Sequence, residues 1–373
     1  MIPMREISNL EIHCLARELQ PLVGARLQKF YELGDGEFRI EFFISGKGTQ
    51  DLAIELKKRL GLTKFIRPAP KEPTQFAMQL RKHLEGAAVK KIEQYSMDRV
   101  MFLDLERDGK PIRLVIEMFS DGNLILADGS GKIIVPYRAE EWKDRKQKRG
   151  AHYTFPASTK VNPFDLSVEK LRDVMNEKKL IACLASRVNL GAAYLEEILH
   201  RAELPFDKRA DSLNDDELGK LMEAFIEVMQ QENRPSPTIY YKDGKPFDYS
   251  PFPLEKLAGL EAKQFKSLSE MFDEFYAGAP PPAKPEESKL GEQKRKLEFT
   301  LKGQREAVIG LKAKSGEAKL AGDKIYEKYQ EVDALLGLVK GKRKANVPWE
   351  EIEKELKGKA KINKEKGKLE AEL

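Results

Sequence analysis

The chain has 373 residues, of which 41% are hydrophobic and 34% charged. That apolar share excludes global disorder, and the length allows two or three domains with cores of ordinary size. The net charge of +5 is mild, so a polyanionic partner would have to be held by local basic patches.

Residues 6–20 place Ile7, Leu10, Ile12, Leu15, Ala16 and Leu19 at helical spacing, and Pro21 ends the predicted helix. A hairpin follows over 25–33 and 38–44, turning at Gly34, Asp35 and Gly36. The run 51–56 reads as a strand and leads into the basic Lys57, Lys58 and Arg59. After a connector with three prolines (66–73), Thr74 opens a helix with apolar positions Phe76, Ala77, Leu80 and Leu84. Its other face carries Arg81, Lys82 and His83, and Gly86 supplies the stop. A β-rich run comes next, with adjacent Asp98 and Arg99 in its middle. On a strand such neighbours point to opposite faces, so each would need another partner; in a turn both would be solvated. Strand-like runs at 101–105, 112–118, 124–127 and 133–135 are separated by Asp-Gly pairs. The class is α+β with a mainly antiparallel sheet.

Residues 138–149 hold six basic and three acidic residues around Trp142, and 153–156 close a first domain spanning 1–160. From 163 to about 233 the pattern is helical. Within it, 186–198 resembles a helix-hairpin-helix, with Gly191 at the turn and Glu196 and Arg201 expected on the exposed face. Such hairpins hold phosphates on backbone N–H groups, although a purely structural hairpin fits the residues equally. A short β-like segment (237–241) with an Asp243-Gly244 turn completes a second domain, 161–279. Four prolines mark a linker at 280–285. Beyond it, ten of fourteen heptad core positions from Leu290 to Leu336 are apolar or aromatic, which predicts a partial coiled-coil arm over 280–373. The run Lys340 to Lys344 is expected to break it, Pro348 to start a short helix, and the chain to end in helix-like sequence.

Cys14 and Cys183 stand far apart and outside any CxxC pair, which points to a reducing compartment and away from zinc. No apolar run reaches 18 residues and no signal-peptide core is seen, so a cytoplasmic location without membrane contact is expected. His13, His83, His152 and His200 form no HxxxH, and neither a GxSxG nor a P-loop occurs. No catalytic residue, metal or cofactor is therefore assigned.

The order and spacing of LRKHL (80–84), IEQ (92–94), Asp98 with Arg99, and NLIL (123–126) resembles the NFACT family. These are ribosome quality-control factors of the NEMF and RqcH type, labelled fibronectin-binding proteins in older work. The resemblance runs from about Leu10 into the charged tail. It implies an N-terminal fold similar to that of DNA glycosylase/lyases, then a helix-hairpin-helix region and a coiled-coil arm. Members usually continue into a returning arm and a C-terminal domain, so a partial chain is expected. The implied function is non-enzymatic. Such factors bind large ribosomal subunits obstructed by peptidyl-tRNA and recruit tRNA, chiefly alanyl-tRNA in RqcH-type members. They thereby support mRNA-independent C-terminal tailing of the stalled chain. By the same resemblance Asp98 and Arg99 match a motif linked to tRNA, and Arg81 and Lys82 match motif positions without a fixed role.

Arg138, Lys143, Arg145, Lys146, Lys148 and Arg149 are further tRNA or rRNA contacts in this reading, with Trp142 and Tyr95 available to stack bases. Asp98 would either orient Arg99 in a bidentate fork or read a base edge itself. Two alternatives remain. One is a surface adhesin or scaffold. The other is a relative of the glycosylase/lyases, against which stand Ile2 before Pro3, Met4 after it, and no cysteine zinc finger.

Overall fold

The computed structural model describes residues 5–142, 145–277, 308, 315–316, 319–320, 322–356, 360–363 and 368–371. Two compact units result, Met1–Pro280 and Pro281–Leu373.

In the first unit, α1 (Asn9–Glu18) precedes a four-stranded meander: β1 (Arg26–Gly34), β2 (Glu37–Ile44), β3 (Gly48–Glu55) and β4 (Arg59–Thr63). Helix α2 (Gln75–Leu84) crosses back to a second meander. Its strands are β5 (Ala88–Gln94), β6 (Val100–Arg107), β7 (Lys110–Glu117), β8 (Asn123–Asp128) and β9 (Ile133–Pro136). The two halves join in one nine-stranded antiparallel sheet, β4-β3-β2-β1-β5-β6-β7-β8-β9, through a short β1–β5 junction at Arg26 and Ala88. The apolar positions of α2 fall one turn apart, so Ala77, Leu80 and Leu84 bury against the sheet with Phe30 and Phe38. Thr74 caps that helix, its hydroxyl accepting the Ala77 N–H at 3.1 Å.

The basic run at 57–59 is not a surface patch throughout. Arg59 opens β4 and is buried between Glu55 and Asp273, at 2.8 and 3.1 Å. Helix α7 (Leu268–Ala277) covers this edge strand: Leu62 N–H donates to Ser269 Oγ at 2.9 Å, and a Cβ on Gly61 would stand 3.0 Å from that oxygen. A charged edge strand is thus shielded by a helix from the far end of the unit.

Two short strands, β10 (Glu140–Glu141) and β11 (Lys146–Gln147), pair within the basic stretch. The helices α3 (Val168–Val174), α4 (Leu180–Arg187), α5 (Ala192–Arg201) and α6 (Asp215–Gln230) share a second hydrophobic cluster. A three-stranded sheet follows, with β12 (Thr238–Lys242) between β13 (Lys245–Ser250) and β14 (Glu261–Gln264). The helical cluster also takes in Leu10 and Met97, so α1 is gripped by both cores and the turn after β5 is anchored in the helical one.

In the second unit, α8 (Tyr329–Lys344) and α9 (Trp349–Glu355) pack through Ile352 and Leu356, with Leu335 and Val339 alongside. Helix α8 includes Lys340 to Lys344, where the heptad pattern is expected to break, and ends with that run; Pro348 caps α9 as expected. Near the chain end the described residues are strands where helix was expected: Ala360–Asn363 pairs antiparallel with Lys368–Ala371. The linker 280–285 and seven of the heptad positions (290, 294, 297, 301, 304, 311 and 318) lie outside the described residues. Of the others, Ile325, Tyr329 and Leu336 are exposed.

Candidate nucleic-acid interface

Asp98 and Arg99 lie in the turn between β5 and β6, not on a strand. Ser96 and Met97 have φ of 42° and 54°, a left-handed pair that non-glycine residues adopt only when held. The holding groups are side-chain amides. Met97 buries its side chain among the helices, and its carbonyl accepts from Asn9 Nδ2 and Asn189 Nδ2, each at 3.0 Å. Gln94 Nε2 donates to the carbonyls of Asn9 at 2.7 Å and Asp98 at 2.9 Å. Asn9 Oδ1 in turn accepts the Gly191 N–H at 3.1 Å. One network therefore ties α1, the β5–β6 turn and the loop before α5.

Within the turn, Asp98 Oδ1 accepts the Arg99 N–H at 2.7 Å, while Arg99 Nη1 donates to Glu6 Oε2 at 2.6 Å. The fork expected between Asp98 and Arg99 is absent because Asp98 is turned onto the backbone and Glu6 takes the guanidinium. Arg99 keeps 31% of its side chain exposed. It faces a cleft of about 720 Å³ that Asp98, Asn189, Gly191 and Lys160 also line. A Cβ on Gly191 would come within 2.9 Å of Ser8 Cβ, so only glycine lets α5 start this close to α1. No acidic residue stands in the first turn of α5, leaving its positive end open to the cleft. Arg5 braces the floor, pairing with buried Glu11 and with Asp248, each at 2.6 Å, and stacking over Tyr249.

The basic stretch is built differently. Arg138 spends its guanidinium on Asp35 and on the carbonyls of Asp121 and Gly122. Arg145 pairs with Glu117, itself nearly fully buried, and donates to the Thr154 carbonyl at 2.7 Å. Glu117 also accepts from Gln147 and from the Tyr153 hydroxyl at 2.7 Å; burial beside this carboxylate pushes Tyr153 well above its ordinary value. Asn123 Nδ2 reaches Gln147 Oε1 at 2.7 Å and the Arg138 carbonyl at 2.8 Å, so it pins the stretch to β8. Arg138 and Arg145 thus have structural partners that the sequence did not suggest. Lys146, Lys148 and Arg149 point to solvent, with Lys146 and Lys148 on the exposed Glu141, and Trp142 is 43% exposed. Lys143 lies outside the described residues.

The family model for NFACT N-terminal and middle domains matches residues 8–366. The chain belongs to the NFACT family. It is similar to the archaeal Rqc2 homolog aRqcH of Methanocaldococcus jannaschii, 34% identical over 94% of this chain and 54% of that protein. It is also similar to the Rqc2 homolog RqcH of Bacillus subtilis, 28% identical over 75% of this chain and 49% of that one. The chain spans about half the length of the curated relatives it matches. Among solved structures, the fibrinogen binding protein from Staphylococcus aureus superposes with a TM-score of 0.61 at 22% identity, covering 72% of this chain and 98% of that one. That likeness shows a shared fold.

In this NFACT chain Arg81 and Lys82 sit on α2 and do not line the cleft. Arg81 donates to the Phe30 carbonyl at 2.8 Å and lies over Tyr31; Lys82 is exposed. Arg201, expected at the surface, is buried against Glu197 at 2.7 Å, because Glu197 is fully enclosed and needs a cation. His13 meets Gln94 at 3.1 Å, and burial raises the Cys14 thiol, so the pair offers no activated nucleophile. Pro3 lies outside the described residues. No group of three or more His, Cys, Asp or Glu that could hold a metal occurs among the described residues, nor does a helix long and apolar enough to cross a membrane. Sequence reasoning missed Arg5, Glu6, Asn9, Asn189 and Lys160. Their partners lie up to 244 positions away, and no local pattern marks them.

Proposed function

We propose that this NFACT chain is a tRNA- and ribosome-binding part of a cytoplasmic ribosome quality-control factor. It would bind large subunits obstructed by peptidyl-tRNA, contact rRNA, and recruit tRNA of the alanyl type for mRNA-independent C-terminal tailing of the stalled chain. Bond formation would belong to the ribosome, so the chain needs no nucleophile or cofactor of its own. The names of the relatives support the quality-control setting.

The observation that carries the reading is the cleft that joins the Asp98 and Arg99 turn to the N-terminus of α5. Backbone N–H groups at that terminus suit a phosphate. Arg99 can leave Glu6 for a phosphate or stack on a base, and Asp98 can accept from a base amino group. Lys146, Lys148 and Arg149 would neutralise phosphates, and Trp142 would stack. Arg138 and Arg145 would act by shaping the stretch that presents them.

The test compares tRNA binding, at fixed salt, by the wild type and by the double variant Asp98→Ala with Arg99→Ala. A loss of about 1–3 kcal/mol is expected if Arg99 stacks a base, together with loss of tailing on obstructed subunits. Unchanged affinity and unchanged tailing would reject the reading.

A further inference from the structure

The helical region carries an apolar face that the cleft does not use. Phe164, Val168 and Ile226 are 41%, 38% and 44% exposed. Beside them runs a groove of about 240 Å³, with buried Leu166, Phe225 and Met229 at its base and Met222 on its wall. That volume falls below the roughly 300–1,000 Å³ of sites that enclose a small molecule. It suits one or two side chains projecting from a protein surface.

Charge decides what kind of surface. Met222 and Ile226 are one helical turn apart, and Glu223 and Glu227 form a parallel stripe about 100° around the axis. Helix α6 holds five carboxylates and one lysine, within a chain whose net charge is +5. Asp215 and Glu217 are matched by Arg172 and Lys208. Glu227, 64% exposed, reaches the buried Arg201 only at 3.8 Å, and Asp216 and Glu223 have no ion pair among the described residues. One turn before Glu223 stands Gly219, at the start of the helix's second turn, where a Cβ would meet nothing within 4 Å. Glycine weakens a helix there relative to alanine, and no neighbour in the fold requires it. A closely approaching partner backbone would.

We infer that this groove is a docking site for a basic amphipathic protein helix. Apolar residues one turn apart seat against Met222 and Ile226, while lysines or arginines run along Glu223 and Glu227. The inference rests on the ribosome reading only for where such a helix is met, on the protein surface of the large subunit.

The probe is a labelled helical peptide with leucines at i, i+3, i+4 and i+7 flanked by lysines, and a twin with glutamates in place of the lysines. The lysine peptide is expected to bind the full chain and the twin not to bind. Ile226→Lys, at an exposed position, and Glu223→Lys should each weaken it about tenfold, as loss of an interface anchor does, while Ile226→Leu retains it. Equal binding of the two peptides, or affinity unchanged in both lysine variants, overturns the inference. With large subunits, a photo-crosslinker at position 226 should label a basic protein; labelling of RNA, a second copy or this chain itself overturns it. Loss of tRNA binding in the Arg99 variant with peptide binding intact separates this site from the cleft. Subunits that fail to sediment with the wild type would reject the ribosome reading alone, and the peptide result would still judge the groove.

Discussion

The β5–β6 turn and the basic stretch after β9 both carry charges that a sequence reader assigns to RNA, yet their arginines are used in opposite ways. In the turn, neutral amides do the holding, and Arg99 stays at the cleft, its guanidinium paired directly with the exposed Glu6. In the basic stretch, cations hold as well: Arg138 and Arg145 are absorbed by carbonyls and buried Glu117. Their neighbours Lys146 and Lys148 hold only the exposed Glu141 and stay at the surface. Amides anchor both segments, Asn123 binding the N–H and carbonyl of Arg138 itself. What consumes the arginines is the company they keep: a buried carboxylate, Glu117, and open carbonyls within reach of the guanidinium.

Breaking the buried pair should have the largest effect. Arg145→Ala leaves Glu117 without its cation, and a loss of about 3 kcal/mol in denaturant unfolding is expected. Stability equal to the wild type would return Arg145 to the surface role that the sequence suggests. Next comes the amide anchor. Gln94→Met strips the donors from the Asn9 and Asp98 carbonyls, at about 1–3 kcal/mol. It should lower tRNA affinity without altering the salt slope, because no phosphate contact is removed. A steeper or shallower slope would show that Gln94 does more than position the turn.

The surface lysines sharpen the contrast from the other side. Lys146→Ala with Lys148→Ala should leave stability within about 0.5 kcal/mol. If both lysines meet single-stranded phosphates, the salt slope of tRNA binding should fall by about 1.4. An unchanged slope would confine RNA contact to the cleft. The smallest effect is expected at Glu32, which accepts from the Thr74 cap. Burial, with Asp35 nearby, holds its carboxyl above the usual value despite that hydrogen bond. An acid raised in the folded state is costly once ionised, so its contribution to stability falls as pH rises through the carboxylate range. Glu32→Gln keeps an acceptor for Thr74 and loses the charge. It should gain up to about 0.5 kcal/mol at neutral pH, with the gain closing below the ordinary glutamate value; a gain constant with pH would rule out this cause.

Local order was readable wherever partners are near in the chain. Helix α2 with its Thr74 cap, the hairpin at Asp35 and Gly36, and the Asp-Gly turns between β6, β7, β8 and β9 all follow from short-range rules. Strand β4 escaped, because Lys57 to Arg59 reads as a solvated run until Asp273 of α7 comes to neutralise it. Arg201 was misjudged for the same reason: its surface position on a helical wheel says nothing of the enclosed Glu197. Lys340 to Lys344 interrupts the apolar heptads but not the helix, since lysine and arginine favour a helix C-terminus, and they form the last turn of α8.

The sequence by itself determined the antiparallel α+β character, the position of the main turns and the family, since periodicity and motif spacing are local properties of the chain. Tertiary structure alone decided which cations are spent and which stay accessible. That choice depends on buried carboxylates and amides such as Glu11, Asn9 and Asp273, whose demand for partners appears only once water is excluded around them.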